Sequence, residues 1–284
     1  MIGVLMSLLL AFAGPSSDLI YIQHKSQPIV QVNKDDYFDE GIGSPVLNEN
    51  RFQGLFTDVN HVIAKPPTNA FIDKNGKIVD GVAGQKLSRN VFKEEFLRAL
   101  YNNGTTLINP KVTYIHPRVD AELLEMIRKK RIGTFVTYFR GDNNQRKTNI
   151  SLATDAINNQ VVFPGETFSF NRTVGKRTKE KGYLPAPIIV KGELSEGIGG
   201  GICQVSSTLF NAVDQAGVQI LERYSHSRQV PYVRPGRDAT VSWYGPDFTF
   251  RNKYNQPLLI KAKVSARSVE ITIFSSEEIQ KNDQ

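Results

Sequence analysis

The chain has 284 residues, 40% hydrophobic and 22% charged, a composition that excludes an intrinsically disordered chain and gives material for one or two folded domains. A net charge of +7 points to anionic surroundings, such as nucleic acid, an anionic membrane face or an anionic wall polymer, without choosing among them. One cysteine excludes an internal disulfide framework and a cysteine-cluster metal site, so that thiol is either buried filler or a nucleophile.

Residues 1–13 are almost wholly apolar and end in Ala11-Phe12-Ala13 before Gly14-Pro15, the pattern of a signal-peptide h-region and its small-residue cleavage site. The run is shorter than the roughly 20 residues of a spanning helix and has no basic n-region, so 1–25 reads as part of a signal peptide or membrane anchor. Export is expected, against the alternative of a buried N-terminal helix. Residues 26–67 are polar, turn-rich and without a sustained period, and a linker or irregular segment is expected there.

A compact pattern then begins, expected as a small α+β module over 68–131 that could serve as an accessory binding unit. Asp73-Lys74-Asn75-Gly76 between Phe71-Ile72 and Ile78-Val79 predicts a hairpin. Ser88 is expected to cap a helix with Val91, Phe92, Phe96, Leu97 and Leu100 at helical spacing, and Val112 and Tyr114 to return as a strand. Asp120 to Arg131 reads as a short helix whose basic end, Arg128-Lys129-Lys130-Arg131, complements the helix dipole.

From 132 to 276 the pattern is that of a mixed domain. The β-branched and aromatic run at 134–139 predicts a strand, and Asn149 is expected to cap a helix with Ile150, Ala153, Ala156 and Ile157 on one face. Two short strands flank Pro164-Gly165, with Phe168 and Phe170 inward. The charged loop with Lys176, Arg177, Lys179 and Lys181 is either a solvated turn or a contact for an acidic substrate. Leu258, Ile260, Ala262 and Val264 alternate with Val269, Ile271 and Ile273 about a turn, predicting an antiparallel hairpin. Trp243 and Tyr244 beside Gly245 either line a substrate groove or are half-buried strand aromatics, the second reading preferred, and 277–284 reads as a frayed tail.

The richest chemistry is at 197–212. Gly197, Gly199, Gly200 and Gly201 lead into Ile202-Cys203-Gln204 and then into a helical pattern with Val205, Leu209, Val213 and Ala216 on the buried face and Gly217 past its end. A dinucleotide fingerprint is rejected, because Ile202 replaces the third glycine, no buried parallel strand precedes it and no βαβ series follows. Glycines admit tight turns and close approach, and a cysteine in the first turn of a helix meets unpaired N–H groups at the positive end of the dipole. Both favour a thiolate. A nucleophilic thiol needs a base, and of the four histidines only His226 shares this domain. A strand returning antiparallel to the helix brings its far end back beside the helix start, and so His226 toward Cys203. Asp238, or else Asp247, would orient the imidazole, with Asp238 preferred.

The stretch from about 133 to 264 resembles a VanW domain, the family of the vancomycin-resistance accessory protein. The matching pieces are Asn149-Ile150, Pro164-Gly165-Glu166-Thr167-Phe168-Ser169-Phe170-Asn171, Gly182-Tyr183, Gly199-Gly200-Gly201-Ile202-Cys203-Gln204-Val205-Ser206, Glu222-Arg223, His226-Ser227, Tyr232-Val233 and Gly236-Arg237-Asp238-Ala239-Thr240-Val241. The 68–131 module resembles more loosely the peptidoglycan-binding domain that often precedes VanW.

The resemblance implies work on the bacterial cell wall, with export to the wall or the outer face of the membrane of a Gram-positive-type bacterium, and some members act as cysteine L,D-transpeptidases. By position, Cys203 would be the acylated nucleophile and His226 its base. Gly200, Gly201, Ile202, Gln204, Ser206, Arg228, Tyr232 and Arg237 would form the oxyanion and substrate-binding set, with backbone N–H groups of 202–204 on the oxyanion and Arg228 or Arg237 on peptide carboxylates. Peptidoglycan stem peptides, and anionic wall polymers, are the implied partners; no nucleic acid, no metal and no cofactor are implied. A non-catalytic wall-binding protein and a cysteine peptidase of wall peptides are the alternatives.

Overall fold

A computed structural model describes residues 18–39, 45–190 and 193–281, so the apolar stretch of the expected signal peptide or anchor lies outside the described residues. The chain divides into two compact units, one of Met1–Asn69 with Gly81–Arg118 and one of Ala70–Asp80 with Val119–Gln284. This differs from the expected 68–131 module, because the hairpin around Asp73 and the helix after Asp120 belong to the second unit. Among the described residues no helix is long and apolar enough to cross a membrane.

In chain order, strands β1 (Leu19–His24) and β2 (Gln27–Asn33) pair antiparallel, and short strands β3 (Phe38–Asp39) and β4 (Val46–Leu47) precede helix α1 (Glu49–Ile63). The segment expected to be irregular over 26–67 is therefore largely structured. Phe52, Leu55, Val59 and Ile63 fall on one buried stripe of α1, and Asn48 caps it by accepting from the Arg51 N–H. A sparse apolar stripe was concealed by the polar residues between its members.

Next come β5 (Phe71–Ile72) and β6 (Ile78–Val79), the expected hairpin, in which Asp73 Oδ1 accepts from the N–H groups of Asn75 and Lys77. Strand β7 (Gly84–Leu87), helix α2 (Arg89–Tyr101), β8 (Thr106–Ile108) and β9 (Val112–Ile115) complete the first unit; β8 pairs parallel with β1, and β7 pairs antiparallel with β9. Its core is Ile20, Ile22, Phe52, Val59, Phe92, Phe96 and their neighbours.

The second unit continues with α3 (Ala121–Ile127), β10 (Lys130–Tyr138), α4 (Asn144–Ile157), β11 (Gln160–Val162), β12 (Thr167–Ser169), α5 (Phe170–Val174), β13 (Pro185–Val190), β14 (Glu193–Ile198), α6 (Ile202–Gln215), β15 (Gln219–Glu222), β16 (Thr249–Arg251), β17 (Leu258–Val264) and β18 (Ser268–Ser275). The protein is of the α+β class. One antiparallel sheet runs β10-β18-β17-β11 and a second runs β12-β16-β15, while β13 and β14 form a separate hairpin. The strands flanking Pro164-Gly165 thus enter different sheets. Two expectations shift: α3 ends before the basic run, whose Lys130 and Arg131 begin β10, and α4 starts at its cap Asn143, leaving Asn149 inside the helix. Residues 277–281 are not frayed, since Asn255 bonds to Glu278 and Gln280 and Tyr254 bridges to Lys281.

Helix α6 lies close to the first sheet because position 133 carries no side chain; a Cβ there would sit 2.2 Å from the Ala212 carbonyl oxygen. Thr208 Oγ1 meets Thr137 Oγ1 at 2.7 Å across this contact. Phe168 and Phe250 stack on the other side of the core, with centroids 4.9 Å apart, and join Phe248, Leu209 and Ile150. Phe250→Ala should therefore cost about 3–5 kcal/mol of unfolding free energy. Urea denaturation followed by the fluorescence of Trp243 measures it, and a loss under about 1 kcal/mol would contradict the assigned packing.

Candidate active site

Helix α6 begins at a turn where side chains do not fit. Gly199 and Gly201 have φ of +90° and +106°, in the left-handed region that glycine adopts without strain, and Gly201 is the N-cap. Gly200 is required for space instead: a Cβ would lie 2.6 Å from the carbonyl oxygens of Ala186 and Pro187 on β13. At Gly199 a Cβ would press on the Arg177 stem at 3.4 Å, and at Gly201 on Arg146 Cγ at 2.9 Å and Ile150 at 3.0 Å. The glycine run is thus the surface on which a hairpin strand and two arginine stems close.

Two buried amides lock this turn. Asn149 Nδ2 donates to the Leu184 and Gly200 carbonyls at 2.9 and 3.0 Å, and its Oδ1 accepts from the Leu184 N–H. Gln204 Nε2 donates to Thr137 Oγ1 and the Tyr138 carbonyl, while its Oε1 accepts from Arg146 Nη2 at 2.8 Å. Gln204 therefore ties the first turn of α6 to β10 and holds Arg146. Pairing of this kind offsets the cost of burying the two amides.

Cys203, second residue of α6, is partly exposed and opens into a cavity of about 1390 Å³ lined also by His226, Arg146, Arg177, Tyr232 and Trp243. His226 follows β15, as the antiparallel return requires. Its Nδ1 lies 2.6 Å from Asp238 Oδ2, which also accepts from the His226 backbone N–H. Arg223 fixes the far side of Asp238, donating to its carbonyl at 2.7 Å and approaching Oδ1 at 3.8 Å. The side chains of His226 and Asp238 are only 7% and 9% exposed, so water does not dilute their attraction. Asp247 plays a different part: it accepts from Ser169 Oγ and the N–H groups of Asn171 and Phe248, bracing the α5 turn.

Burial by itself would raise the Cys203 thiol, but the hydrogen bond and charge of His226, with the Val241 backbone and Thr240 hydroxyl, hold it below the ordinary thiol value. Burial would likewise lower His226, and contacts with Cys203 and then Asp238 raise it. Asp238, which burial would raise, is held low by the His226 backbone and ring. All three directions favour a thiolate beside an imidazolium whose Nδ1–H donates to a carboxylate, leaving Nε2 for the sulfur. Burial and the Cys203 charge push the Tyr232 phenol up, so it stays a neutral donor in the cavity wall.

Cys203, His226 and Asp238 come together as expected, and Gly201, Ile202, Gln204 and Tyr232 line the same cavity. Other expected roles are corrected. The Ile202 and Gln204 N–H groups donate to the Gly199 and Gly201 carbonyls, whereas among the described residues the Cys203 N–H has no backbone acceptor. Ser206 is fully buried and does not border the cavity, because it lies on the core face of α6. Arg237 donates to Asn211 and Asp214 and covers the Phe210 ring, a structural role. Arg228 is exposed beside a separate hollow that reaches His226 and Asp238. The arginines at the thiol are Arg146 and Arg177 instead. Trp243 and Tyr244 lie in a turn, not a strand, and line the cavity with Lys176. Among the described residues no group of His, Cys, Asp or Glu gathers to hold a metal ion.

Replacing Asp238 with Asn removes the anion that sustains the imidazolium. Alkylation of Cys203 by iodoacetamide at neutral pH should slow by about tenfold, because less of the thiol is ionised once the imidazolium beside it is lost. Ser206→Ala, on the core face, should leave the rate unchanged. Equal rates for wild type and Asp238→Asn would contradict the assigned pairing.

Comparison with known proteins identifies the family of the chain. A family profile described as VanW like protein matches residues 145–274. YoaR of Bacillus subtilis strain 168 is 50% identical over 281 residues, 98% of this chain and 93% of that protein. The vancomycin B-type resistance protein VanW of Enterococcus faecalis strain ATCC 700802 / V583 is 34% identical over 109 residues, 37% of this chain and 40% of that protein. No solved structure matches. With the family profile covering the glycine turn, Cys203, His226 and Asp238, and a relative aligned along nearly its whole length, this chain belongs to the VanW-like family.

Proposed function

We propose that this protein is an exported enzyme of the cell wall that transfers acyl groups between peptidoglycan stem peptides through a Cys203 thioester, in the manner of an L,D-transpeptidase. The observation that carries the proposal is the thiol itself: partly exposed at a helix N-terminus, in a peptide-sized cavity, paired with a histidine that a buried carboxylate orients. Inert core cysteines have none of these partners. The vancomycin-resistance name of one relative supports the wall as the setting, and the apolar stretch at 1–13 supports export.

In this mechanism the Cys203 thiolate adds to a peptide carbonyl of the donor stem. A C–S bond forms, and the carbonyl electron pair moves to oxygen, where the Cys203 N–H meets the charge. His226 gives its Nε2 proton to the leaving amine as the C–N bond breaks, and a thioester remains. The amine of an acceptor stem then loses a proton to His226 and attacks the thioester, and breakage of the C–S bond regenerates the thiolate. Water in place of the amine would make the protein a peptidase.

Incubation of the protein with purified donor and acceptor stem peptides separates these outcomes. Cross-linked dimers are expected from the wild type, with Cys203→Ala reducing their rate at least about 10³-fold, since removal of a covalent nucleophile disables the whole unit. Released fragments without dimers would overturn transfer in favour of hydrolysis, and no turnover of either kind would overturn the enzyme.

A further inference from the structure

The wall of the Cys203 cavity carries positive charge that the protein does not neutralise. Arg140, Arg146, Lys176, Arg177 and Arg267 line it, against Asp142 as the single carboxylate in the lining. Arg146 and Arg177 stand nearest the chemistry, because their stems pack on Gly201 and Gly199, the residues that bracket the turn into Cys203. Each has only a neutral amide as its side-chain hydrogen-bond acceptor among the described residues: Gln204 Oε1 takes Arg146 Nη2 at 2.8 Å, and Asn171 Oδ1 takes Arg177 Nη2 at 2.7 Å.

A guanidinium has five donors in a planar fork. Among the described residues Arg177 Nη1 is buried without an acceptor, a costly state that a bound ligand would relieve. Burial pulls both arginines below the usual guanidinium range, and the charge at Cys203 works against that. Arg237 and Arg128, on the surface, are ion-paired with Asp214 and Glu125, whereas neither Arg146 nor Arg177 has a carboxylate within ion-pair distance among the described residues.

We propose that Arg146 and Arg177 form a carboxylate subsite beside Cys203, which selects peptide donors that carry a free carboxylate next to the bond that is cleaved. The planar fork suits a carboxylate, and an anion bound there replaces the counter-charge that the cavity lacks. The peptide nature of the donor rests on the acyl-transfer function proposed above; the anion site itself does not. At 201 a Cβ would crowd the Arg146 stem, with Cγ only 2.9 Å away, so the glycine there also leaves room for that guanidinium beside the thiol.

Two measurements on the full chain keep the two ideas apart. The first compares alkylation of Cys203 by iodoacetate, an anion, with that by neutral iodoacetamide. The iodoacetate-to-iodoacetamide rate ratio should exceed that of the unfolded protein by about tenfold, the effect of one charge-assisted contact, and should fall by a similar factor in Arg146→Gln or Arg177→Gln. Arg177→Lys should retain part of the preference. A ratio equal to that of the unfolded protein, or one kept in both glutamine variants, overturns the subsite.

The second compares acylation of Cys203, read by intact mass, by stem peptides ending in a free carboxylate or in an amide. The acid form should acylate the wild type at least about tenfold faster. Equal rates would overturn donor selection by these arginines. If neither peptide acylates while iodoacetate remains preferred, the acyl-transfer function falls and the anion site stands.

Discussion

Three absent Cβ atoms govern the geometry around Cys203. At 199 and 201 the backbone enters the left-handed region, and at 200 the neighbouring β13 carbonyls leave no volume for a side chain. Close packing makes such a constraint severe, because backbone oxygen cannot retreat as the end of a flexible side chain can. The hairpin, the Arg146 and Arg177 stems and the start of α6 therefore converge within one turn of chain. Asn149 holds that convergence by donating to the Gly200 carbonyl, and Gln204 by tying the first turn of α6 to β10.

The thiol in this turn faces two opposed effects. Removal from water favours the neutral sulfhydryl, whereas the helix N-terminus, the imidazole and the polar groups of 240 and 241 favour the thiolate. The second set prevails because His226 is not an isolated base. Asp238 accepts from both its ring and its backbone, and Arg223 in turn anchors Asp238, so the imidazolium forms without reorganising its surroundings. A chain of partners thus runs from Arg223 through Asp238 and His226 to the sulfur, each group stabilising the charged form of the next.

Much of this site was legible in the sequence. A glycine run entering an amphipathic helix marks its start, and a single cysteine and a single histidine in the same domain leave few pairings; the hairpins β5–β6 and β17–β18 declare themselves by turn residues and alternation. Helix α1 was hidden because its buried stripe is only four residues wide in a polar background that also contains Gly54. The choice among arginines was illegible for a different reason. Arg228 and Arg237 are near His226 in sequence, but Arg237 is consumed by Asp214, while Arg146 and Arg177 reach the thiol through tertiary packing on glycines that local pattern does not encode. The oxyanion donors failed similarly, since the turn's own hydrogen bonds occupy the amides of Ile202 and Gln204.

With a single cysteine in the chain, the ultraviolet absorbance of the thiolate reports on Cys203 alone, and its pH titration addresses the central claim most directly. A Cys203 pKa held below the ordinary thiol value and a His226 pKa held above the ordinary imidazole value both favour the thiolate–imidazolium pair over the neutral one. The wild type should keep thiolate absorbance at pH values well below the ordinary thiol range, and His226→Ala should lose it there. Absorbance that rises only in the ordinary thiol range, alike in both proteins, would contradict the account.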